Sequence, residues 1–518
     1  MTSGSPTIRY DVAIVGGGSA GALLAARLSE DPARQVALIE AGGEPTDPDI
    51  WKPAAWPLLQ GRDYDWSYRT EPQAGTAGRS HAWPRGRVLG GSSCLHAMGH
   101  MRGHPADFAA WVEATGDARW SWEGLLPVFM AIEDHSLGGD GVHGKGGPLP
   151  VLLPDEEVSP VARAFIAAGA ALGLPRISGH NTGEMVGVTP NALTIRDGRR
   201  VTVADAWLTP AVRQRKNLSI LQGVLVRRLK LAGSRVAALE ATGPDGPAEI
   251  AADLVILSAG AIESPALLMR SGIGPADVLT EAGIACRIAA PDLGRNLQDH
   301  LLGAGNLYAA RRAVPASRLQ HSESMAYMHE GDFSGGGRPE IVVGCGIAPI
   351  VSERFTPMAA GTAYSLLFGV TNPTSRGSLS VTGPEPSDRL RIDPAYLQTE
   401  HDRGLFRKAL AAAREIGHRP ELDDWREREV LPGPLATQAD IDRFIAEAAI
   451  THHHPCGTCR MGRDQRSVVD ADLKLRGLDN LHIVDGSVIP SLTAGPIHAA
   501  ILAIAETFAR QAMAAGAK

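Results

Sequence analysis

The chain has 518 residues, which exceeds one ordinary hydrophobic core and predicts two domains or one domain with a large insertion. Hydrophobic residues make up 44% and charged residues 21% of the chain, proportions typical of a folded globular protein. The formal net charge is −7 and no basic tract is present, so we expect neither nucleic acid nor a membrane surface as a partner.

The N-terminal residues and the cysteines indicate the compartment. Residues 1–7 are polar and lack the apolar stretch of a signal peptide, and no apolar run in the chain is long enough to cross a bilayer. Five cysteines, few and odd in number, predict no disulfide framework. We therefore expect a cytoplasmic protein in a reducing environment.

The first predicted elements form a nucleotide-binding unit. An apolar strand at 10–15 runs into the Gly-rich loop 16–21, a helix follows, and a second apolar run at 36–39 ends in Glu40. A strand, a glycine loop, a helix and an acidic residue at this distance are typical of a dinucleotide site. Because all four parts are present in this order, we interpret the loop as a binding site and not as a Gly-rich turn without a ligand.

Each residue of this unit has an expected role. Gly16 allows the tight turn, Gly18 lets the backbone approach a pyrophosphate, and Gly21 lets the helix pack against the strand. The helix N-terminus offers N–H groups and a partial positive charge to the phosphates, and Glu40 accepts hydrogen bonds from a ribose diol. The predicted cofactor contacts of this unit are Gly16, Gly18, Ser19, Ala20, Gly21, Glu40 and Ala41.

Two further segments favour FAD over NAD. Residues 85–96 form a second loop rich in Gly and Ser, which carries two arginines and suits a second approach to an extended cofactor. Residues 253–260 form an apolar strand that ends in small residues and precedes a helix. A strand that returns so late to the N-terminal nucleotide sheet predicts a long insertion between parts of one domain.

The C-terminal segment is predicted to close the cofactor site. A short strand at 480–485 is followed by a turn, and residues 496–498 precede an Ala-rich helix at about 499–513. The N-terminus of that helix would lie beside the flavin pyrimidine ring, where its dipole would stabilise the negative charge of the reduced form. Simple packing of this helix is the alternative.

The histidine-rich segment 451–462 is the strongest indicator of chemistry. A neutral imidazole titrates near neutrality, so it suits the removal of an alcohol proton coupled to hydride transfer. In an extended segment His452 and His454 point to one face and His453 to the other. We therefore predict His454 as the base, with His452 in the site and His453 outside it.

A metal or redox centre is the competing interpretation of the same segment. Cys456 and Cys459 form a C-x-x-C pair close to His452 and His454, and thiolates with imidazoles bind zinc. The regular ligand spacing of a closed zinc site is absent, and so is the βαβ context of a thioredoxin-like pair. We expect no metal and interpret both cysteines as packed small residues.

In their order along the chain these motifs resemble the glucose–methanol–choline (GMC) family of FAD oxidoreductases. The resemblance implies an α/β, Rossmann-like FAD-binding domain with an inserted α+β substrate domain built on a mixed or antiparallel sheet with helices. The segments that carry it are 16–21 with Glu40, 86–96, 260–274, 294–300, 454–462 and 485–498.

The resemblance also suggests where the domains divide. The FAD-binding domain is expected from residues 1–150, 195–300 and 465–518. The substrate domain is expected from residues 151–194 and 301–464.

Roles carry over residue by residue. His454 falls on the family's catalytic histidine and His498 on its second catalytic position, while His452, His454 and Pro496 would line the substrate side of the flavin. The further cofactor contacts that the resemblance implies are Arg87, Gly90, Gly91, Ser92, His96, Ala97, Met98, Val224, Ala259, Gly260, Asp485, Gly486, Pro496 and Ile497.

Two positions depart from the family pattern. His96 stands where Asn is common, and His100 where an aromatic residue is common. Members that tether FAD covalently use a histidine at the position of Leu95, so we expect non-covalent FAD. The run 296–300 is expected to close over the flavin, with no chemistry assigned to His300.

The function that the resemblance implies is oxidation of an alcohol to an aldehyde. Details at 451–455, 90–99 and 494–498 favour a hydroxymethyl group on an aromatic ring, with pyridoxine preferred and O2 as acceptor. Another alcohol, choline-like, benzylic or furanic, or another electron acceptor is the alternative within this class. A non-catalytic flavin-binding or nucleotide-binding protein is the alternative outside it.

Overall fold

The computed structural model describes residues 8–331 and 335–516. The helices are α1 Ser19–Leu28, α2 Pro105–Thr115, α3 Trp122–Ile132, α4 Pro160–Ala171, α5 Val203–Trp207, α6 Pro210–Arg213, α7 Gly260–Arg270, α8 Ala276–Glu281, α9 Glu400–Gly417, α10 Gln438–Ala448 and α11 His498–Gly516.

The strands fall into two large sheets and several short ribbons. In chain order they are β1 Ile8–Val15, β2 Val36–Glu40, β3 Tyr68–Arg69, β4 Ala82–Trp83, β5 Glu133–His135, β6 Leu149–Val151, β7 Gly187–Pro190, β8 Ile195–Arg196, β9 Arg199–Arg200, β10 Leu218–Gln222, β11 Leu225–Ala232, β12 Arg235–Gly243, β13 Gly246–Leu257, β14 Ile273–Gly274, β15 Ile288–Ala289, β16 Leu301–Ala310, β17 Ser322–Met328, β18 Ile341–Gly346, β19 Ala363–Val370, β20 Ser378–Val381, β21 Leu390–Asp393, β22 Arg426–Leu431, β23 Ala449–Thr451 and β24 Leu481–Ile483.

The first large sheet has the order β10-β2-β1-β13-β12-β11, and β24 also pairs with β13. β10, β2, β1, β13 and β24 are parallel neighbours, whereas β11 and β12 extend the sheet in antiparallel fashion. β2 is buried throughout, as expected for a parallel strand covered on both faces. The small side chains of α1 let it pack closely against α11.

The second large sheet is antiparallel, in the order β22-β16-β19-β18-β17-β7, and β23 pairs with β16. Its central strands β18 and β19 are buried along their full length. One face is covered by α9, where Phe406 packs against Phe368. The other face carries an apolar cluster that includes Leu302, Met325 and Val342.

The strands follow the segments expected from the sequence. The first large sheet draws its strands from 1–150, 195–300 and 465–518, and the second from 151–194 and 301–464. The predicted fold class, an α/β nucleotide-binding sheet with a second sheet and helices, is confirmed. The domain boundaries stay a prediction. No helix within the described ranges is long and apolar enough to act as a membrane span.

Candidate active site

One interior cavity extends from the carboxyl ends of β1, β2 and β13 to the apolar face of the second sheet. Its lining takes residues from the glycine loop after β1, from the loop at 91–99, from the histidine segment and from the start of α11. Segments that are far apart in the sequence therefore share one cavity.

Close packing explains the glycines of the first loop. Gly16 has a φ of +104°, and a Cβ built on it would lie 2.5 Å from the carbonyl oxygen of Ser258. A Cβ on Gly21 would lie 1.8 Å from the carbonyl oxygen of Gly16. Gly16 lines the cavity, whereas Gly21 lies behind it and acts on the turn and on helix packing.

The carboxylate of Glu40 holds this loop and still faces the cavity. Its two oxygens accept hydrogen bonds from the N–H groups of Gly17, at 2.7 Å, and Gly42, at 2.8 Å. Burial raises the pKa of Glu40 to about 6. Each carboxylate oxygen has a second lone pair, so the arrangement suits a ribose diol.

The two glycine loops contact each other through their backbones. Gly91 has a φ of +56°, and a Cβ on it would lie 2.6 Å from the Cα of Gly18. The N–H of Gly90 donates to the carbonyl oxygen of Gly17 at 2.8 Å. Gly90 itself is outside the cavity lining, so its contribution is to fix the second loop on the first.

Two helices present their N-termini to the cavity. α1 begins after Gly18, which supplies no capping side chain, and its first turn contains no acidic residue. α11 also lacks an acidic residue in its first turn, and Pro496 and Ile497, which precede it, line the cavity. Free N–H groups and the positive end of a helix dipole favour phosphate oxygens and a developing anion.

Arg87 is not where the sequence placed it. It is exposed and does not line the cavity, and its guanidinium lies 5.0 Å from the ring centroid of Trp66, which does line the cavity. A Cβ built on Gly42 would lie 2.0 Å from the carbonyl oxygen of Arg87, so the backbones of these two residues are in close contact. Arg85 lines the cavity instead and donates from its Nη2 to the carbonyl oxygen of His453 at 2.8 Å.

Most of the other predicted residues reach the cavity. Gly21, Gly90 and Arg87 are the exceptions. The predicted residues in the lining are Gly16, Gly18, Ser19, Ala20, Glu40, Ala41, Gly91, Ser92, His96, Ala97, Met98, Val224, Ala259, Gly260, His452, His454, Asp485, Gly486, Pro496, Ile497 and His498.

His96 offers an unpaired donor to this cavity. Its Nδ1 accepts from the N–H of Met98 at 2.9 Å and from Arg200 at 3.1 Å. Burial, with contributions from His498 and Arg200, lowers the pKa of His96 well below its usual value, so the neutral ring carries its proton on Nε2. That buried Nε2–H has no acceptor within the described chain.

His498 lies on the nucleotide side of the cavity. Its Nε2 is 3.1 Å from the hydroxyl oxygen of Ser19, and its ring meets that of His96 edge-on at 4.8 Å between centroids. Among the described residues, no hydrogen bond or ring contact links His498 with His452 or His454. His498 lines the same cavity as His452 and His454, and the second catalytic position that the resemblance implies for it stays a prediction.

His300, His452 and His454 form a compact cluster at the other end. The ring centroid of His454 lies 4.4 Å from that of His452 and 5.2 Å from that of His300. His453 has a φ of +65°, so the segment is not a regular strand and its side chains do not alternate. The expectation that His453 lies outside the site is therefore wrong, because it lines the same cavity.

Hydrogen bonds define where each proton lies. The Nε2 of His300 is 2.8 Å from the carbonyl oxygen of Thr371, which can only accept, so Nε2 carries the proton. The Nδ1 of neutral His300 is then an acceptor and receives the Nδ1–H of His454 at 3.0 Å. The Nε2 of His454 is left with a free lone pair. His300, to which the sequence assigned no chemistry, thus orients the candidate base.

The backbone of the base is held by a buried carboxylate. Asp299 accepts from the N–H of His454 at 2.6 Å and from the hydroxyl of Thr451 at 2.6 Å. The hydroxyl of Tyr396 also donates to it. Burial raises the pKa of Asp299 to about 6 in spite of these donors and of nearby Arg85.

Burial keeps the cluster neutral. It lowers the pKa of His300 to about 4 and that of His452 to about 3. Burial and the three neighbouring histidines also lower the pKa of His454 well below its usual value. At neutral pH the imidazoles are therefore unprotonated, the form that a general base requires.

The wall opposite the nucleotide loops was not predicted. It is largely apolar, with Met101, Leu302, Met325, Ile350, Leu367 and Ile450. Trp56, Gln60, Asn191, Gln320 and Ser322 add polar atoms at one side. No local motif marks these residues, because they meet only through the pairing of β7, β16, β17 and β19.

The structure offers nothing for the zinc interpretation. Cys456 and Cys459 are buried, and burial raises the pKa of both thiols, which opposes the thiolate that zinc requires. In the part of the chain that the structure describes, no group of three or more His, Cys, Asp or Glu residues is arranged to hold a metal ion.

The observed residues fit an extended dinucleotide cofactor with a reactive ring. A Cβ on Gly91 would clash with the backbone of the first loop, the N-termini of two helices face the cavity, and His96 has a buried donor without a partner in the described chain. Together with the neutral histidine cluster, the fold and the site define an FAD-dependent oxidoreductase.

Comparisons with known proteins lead to the same class. Family models described as GMC oxidoreductase match residues 10–302 and 373–505. The chain belongs to the GMC oxidoreductase family.

Three relatives illustrate the similarity. Pyridoxine 4-oxidase of Microbacterium luteolum is 71% identical over 500 residues, covering 96% of this chain and 99% of that protein. A crystal structure of pyridoxine 4-oxidase from Mesorbium loti has a TM-score of 0.97 and 71% identity, covering 98% of this chain and 99% of the other. A structure from a study of FAD modification in Aspergillus oryzae formate oxidase has a TM-score of 0.90 and 25% identity, covering 99% of both chains.

Replacing Gly91 by alanine tests the contact between the two loops. The added Cβ would lie 2.6 Å from the Cα of Gly18 at a position with positive φ, so the second loop must move. We expect FAD affinity to fall by at least about tenfold, a loss of about 1.4 kcal/mol. FAD titration of the apoprotein measures it. Gly43→Ala is the matched control, because a Cβ there meets nothing within 4 Å; equal affinities in the two variants would contradict the assignment.

Acid sensitivity is expected from the buried histidines. A folded pKa below the unfolded value of about 6.5 means that only the unfolded chain takes up the proton, so stability is lost as pH falls below that value. Each such histidine contributes up to about 1.4 kcal/mol per pH unit. The histidines concerned, with pKa lowered to about 3 or about 4, are His81, His135, His180, His300, His452, His453 and His498.

Five buried carboxyl groups of the described chain act in the opposite direction, since burial raises the pKa of Asp107, Glu323 and Asp485 as well as that of the two groups named next. Burial raises the pKa of Glu40 and of Asp299 to about 6, so the folded state takes up protons there as pH falls. The histidines outnumber them, and we expect the thermal midpoint of the holoenzyme to fall between pH 7.5 and pH 5.5. A midpoint that stays constant or rises over this range would contradict the neutral, buried state of the histidines.

Proposed function

We propose that this protein is an alcohol oxidase that converts pyridoxine and O2 to pyridoxal and H2O2. The observation that carries the proposal is the Nε2 lone pair of His454, which the His300 hydrogen bond leaves free in the cavity. The similarity to pyridoxine 4-oxidases supports this substrate among aromatic alcohols.

His454 acts as the general base. FAD bound in the cavity supplies the acceptor for the hydride that leaves the 4-hydroxymethyl carbon. The Nε2 of His454 takes the hydroxyl proton, and its Nδ1–H remains bonded to His300, which disperses the new positive charge. His452, with its ring 4.4 Å from that of His454, and Pro496 restrict the position of the hydroxymethyl group.

The proton taken from the alcohol also assists the second half of the reaction. Protonated His454 leaves a positive charge inside a buried cavity, where it stabilises the negative charge that develops as O2 takes up electrons. The fixed guanidinium of Arg85 lines the same cavity and adds to that field. FAD is held without a covalent bond in this proposal, since Leu95 offers no nucleophile. A cytoplasmic location also belongs to the proposal, supported by five free cysteines.

Anaerobic mixing with pyridoxine tests the proposed function. We expect the visible flavin absorption of the purified protein to bleach, and H2O2 and pyridoxal to form once air is admitted. His454→Gln should slow the bleaching by about 10²–10⁴-fold, the usual contribution of a general base. His482→Gln is the control, because His482 packs against Phe508 outside the cavity lining.

Each alternative has its own outcome in this experiment. A yellow protein that bleaches with benzylic, furanic or choline-like alcohols but not with pyridoxine would replace the substrate. Bleaching without consumption of O2 would indicate a dehydrogenase with another acceptor. Undiminished bleaching in His454→Gln would overturn the base assignment, and a protein that no alcohol bleaches would be a non-catalytic flavoprotein.

His300→Phe tests the orientation of the base. The ring still fills the space but cannot accept the Nδ1–H of His454, so the free lone pair is no longer fixed on Nε2. We expect the rate of flavin reduction to fall by about 10–100-fold while the pyridoxine KM changes little. Stopped-flow reduction measures the rate. A change in KM alone would assign His300 to substrate binding instead.

A further inference from the structure

The polar side of the apolar wall carries two side chains that each have one oxygen atom without a hydrogen-bond partner among the described residues. Asn191 follows β7, and Ser322 begins the neighbouring strand β17. Both line the cavity, and Asn191 is only 2% exposed. Ser322 lies on the cavity face, because a Cβ built on Gly344 would meet its Oγ at 3.4 Å and the Cε of cavity-lining Met325 at 3.7 Å.

The rest of both residues is firmly held. The Nδ2 of Asn191 donates to the carbonyl oxygen of Ser322 at 2.8 Å, and its backbone N–H donates to Glu323 at 2.9 Å. The N–H of Ser322 donates to the Oε1 of Gln320 at 2.9 Å, and the Nε2 of Gln320 donates back to the Ser322 carbonyl. The strand ends are therefore fixed before any ligand binds.

Two oxygen atoms are left over by this arrangement. The Oδ1 of Asn191 and the Oγ of Ser322 are buried, and neither has a hydrogen-bond partner in residues 8–331 or 335–516. Buried polar atoms are normally satisfied, so each unpaired one calls for an explanation such as a ligand. An acceptor-only oxygen next to a hydroxyl forms a natural pair of partners for a hydroxyl group.

The distance to the histidine cluster fits an aromatic ring. His452 follows β23, which pairs with β16, and β16 is separated from β17 by β19 and β18. From β23 through β16, β19 and β18 to β17 there are four strand spacings, which amount to about 19 Å. The distance between these strands can be spanned by a histidine side chain on one side, a substituted six-membered ring in the middle, and a serine or asparagine side chain on the other.

We propose that Asn191 Oδ1 and Ser322 Oγ form a specificity subsite that binds a ring hydroxyl of the substrate flanking the reacting hydroxymethyl group. The proposal deepens the proposed function and rests on it. Pyridoxine carries two such groups, the 3-hydroxyl on one side and the 5-hydroxymethyl on the other. The Oδ1 of Asn191 accepts a hydrogen bond from the hydroxyl group of the substrate, and the hydroxyl of Ser322 donates a hydrogen bond to the oxygen of the same group.

In this proposal the residues that recognise the ring differ from the residue that acts on the reacting group. His454 acts on the 4-hydroxymethyl group whatever else the ring carries, whereas Asn191 and Ser322 act only on substrates with a second hydroxyl. Simple 4-pyridinemethanol should therefore react as a poor but real substrate. Its kcat/KM should not depend on either subsite residue.

Ser322→Ala is the sharpest test, because its Oγ has no partner in the described fold and its removal costs no internal bond. We expect kcat/KM for pyridoxine to fall about tenfold, the effect of one lost hydrogen bond, with 4-pyridinemethanol unchanged. Ser324→Ala is the matched control, since Ser324 is buried in the same strand outside the cavity lining.

Pyridoxine analogues that lack either the 3-hydroxyl or the 5-hydroxyl identify the group that is bound. The analogue that is insensitive to Ser322→Ala is the one missing the recognised hydroxyl. Equal effects of Ser322→Ala on pyridoxine and 4-pyridinemethanol, or no effect on either, would overturn the subsite while leaving pyridoxine oxidation intact. Failure of wild-type protein to oxidise pyridoxine would instead reject the proposed function.

Discussion

Direct backbone contact between two glycine loops is the constraint on which the site depends. A Cβ on Gly91 would lie only 2.6 Å from the Cα of Gly18, and the N–H of Gly90 donates to the carbonyl oxygen of Gly17. Because the loops touch, a cofactor on the first loop must also contact the second. The residues that follow Gly91, including His96, thereby line the cavity, and His96 offers it a side-chain donor.

A second constraint is the neutrality of the buried histidines. The carbonyl oxygen of Thr371 can only accept, so the proton of His300 lies on Nε2. The Nδ1 of His300 then accepts, so the proton of His454 lies on its Nδ1. Such a chain works only while both rings are neutral, and burial guarantees that state by lowering their pKa values. The same desolvation therefore has two effects. It lowers folding stability in acid, and it keeps His454 unprotonated and able to act as a base.

Local patterns predicted the nucleotide half of the molecule well. The glycine loop follows β1, Glu40 ends β2, and the late strand predicted from residue 253 lies in β13. These three strands are neighbours in the first sheet, so their carboxyl ends meet at one edge. Predictions failed where one dihedral angle decides the outcome. The positive φ of His453 removes the alternation assumed for its segment, and in the second loop Arg85 lines the cavity whereas the predicted Arg87 does not.

The substrate wall shows why the remaining part could not be predicted. Asn191 and Ser322 lie 131 positions apart and meet only because β7 pairs with β17, a register that no short window of sequence reveals. Neither residue belongs to a motif, and both would be interpreted from sequence as ordinary polar residues at strand ends. Their unpaired oxygens become visible only when every bond of the surrounding backbone has been assigned. Specificity in such a fold therefore depends on long-range strand pairing, whereas the cofactor chemistry depends on local loops, so the two can vary independently.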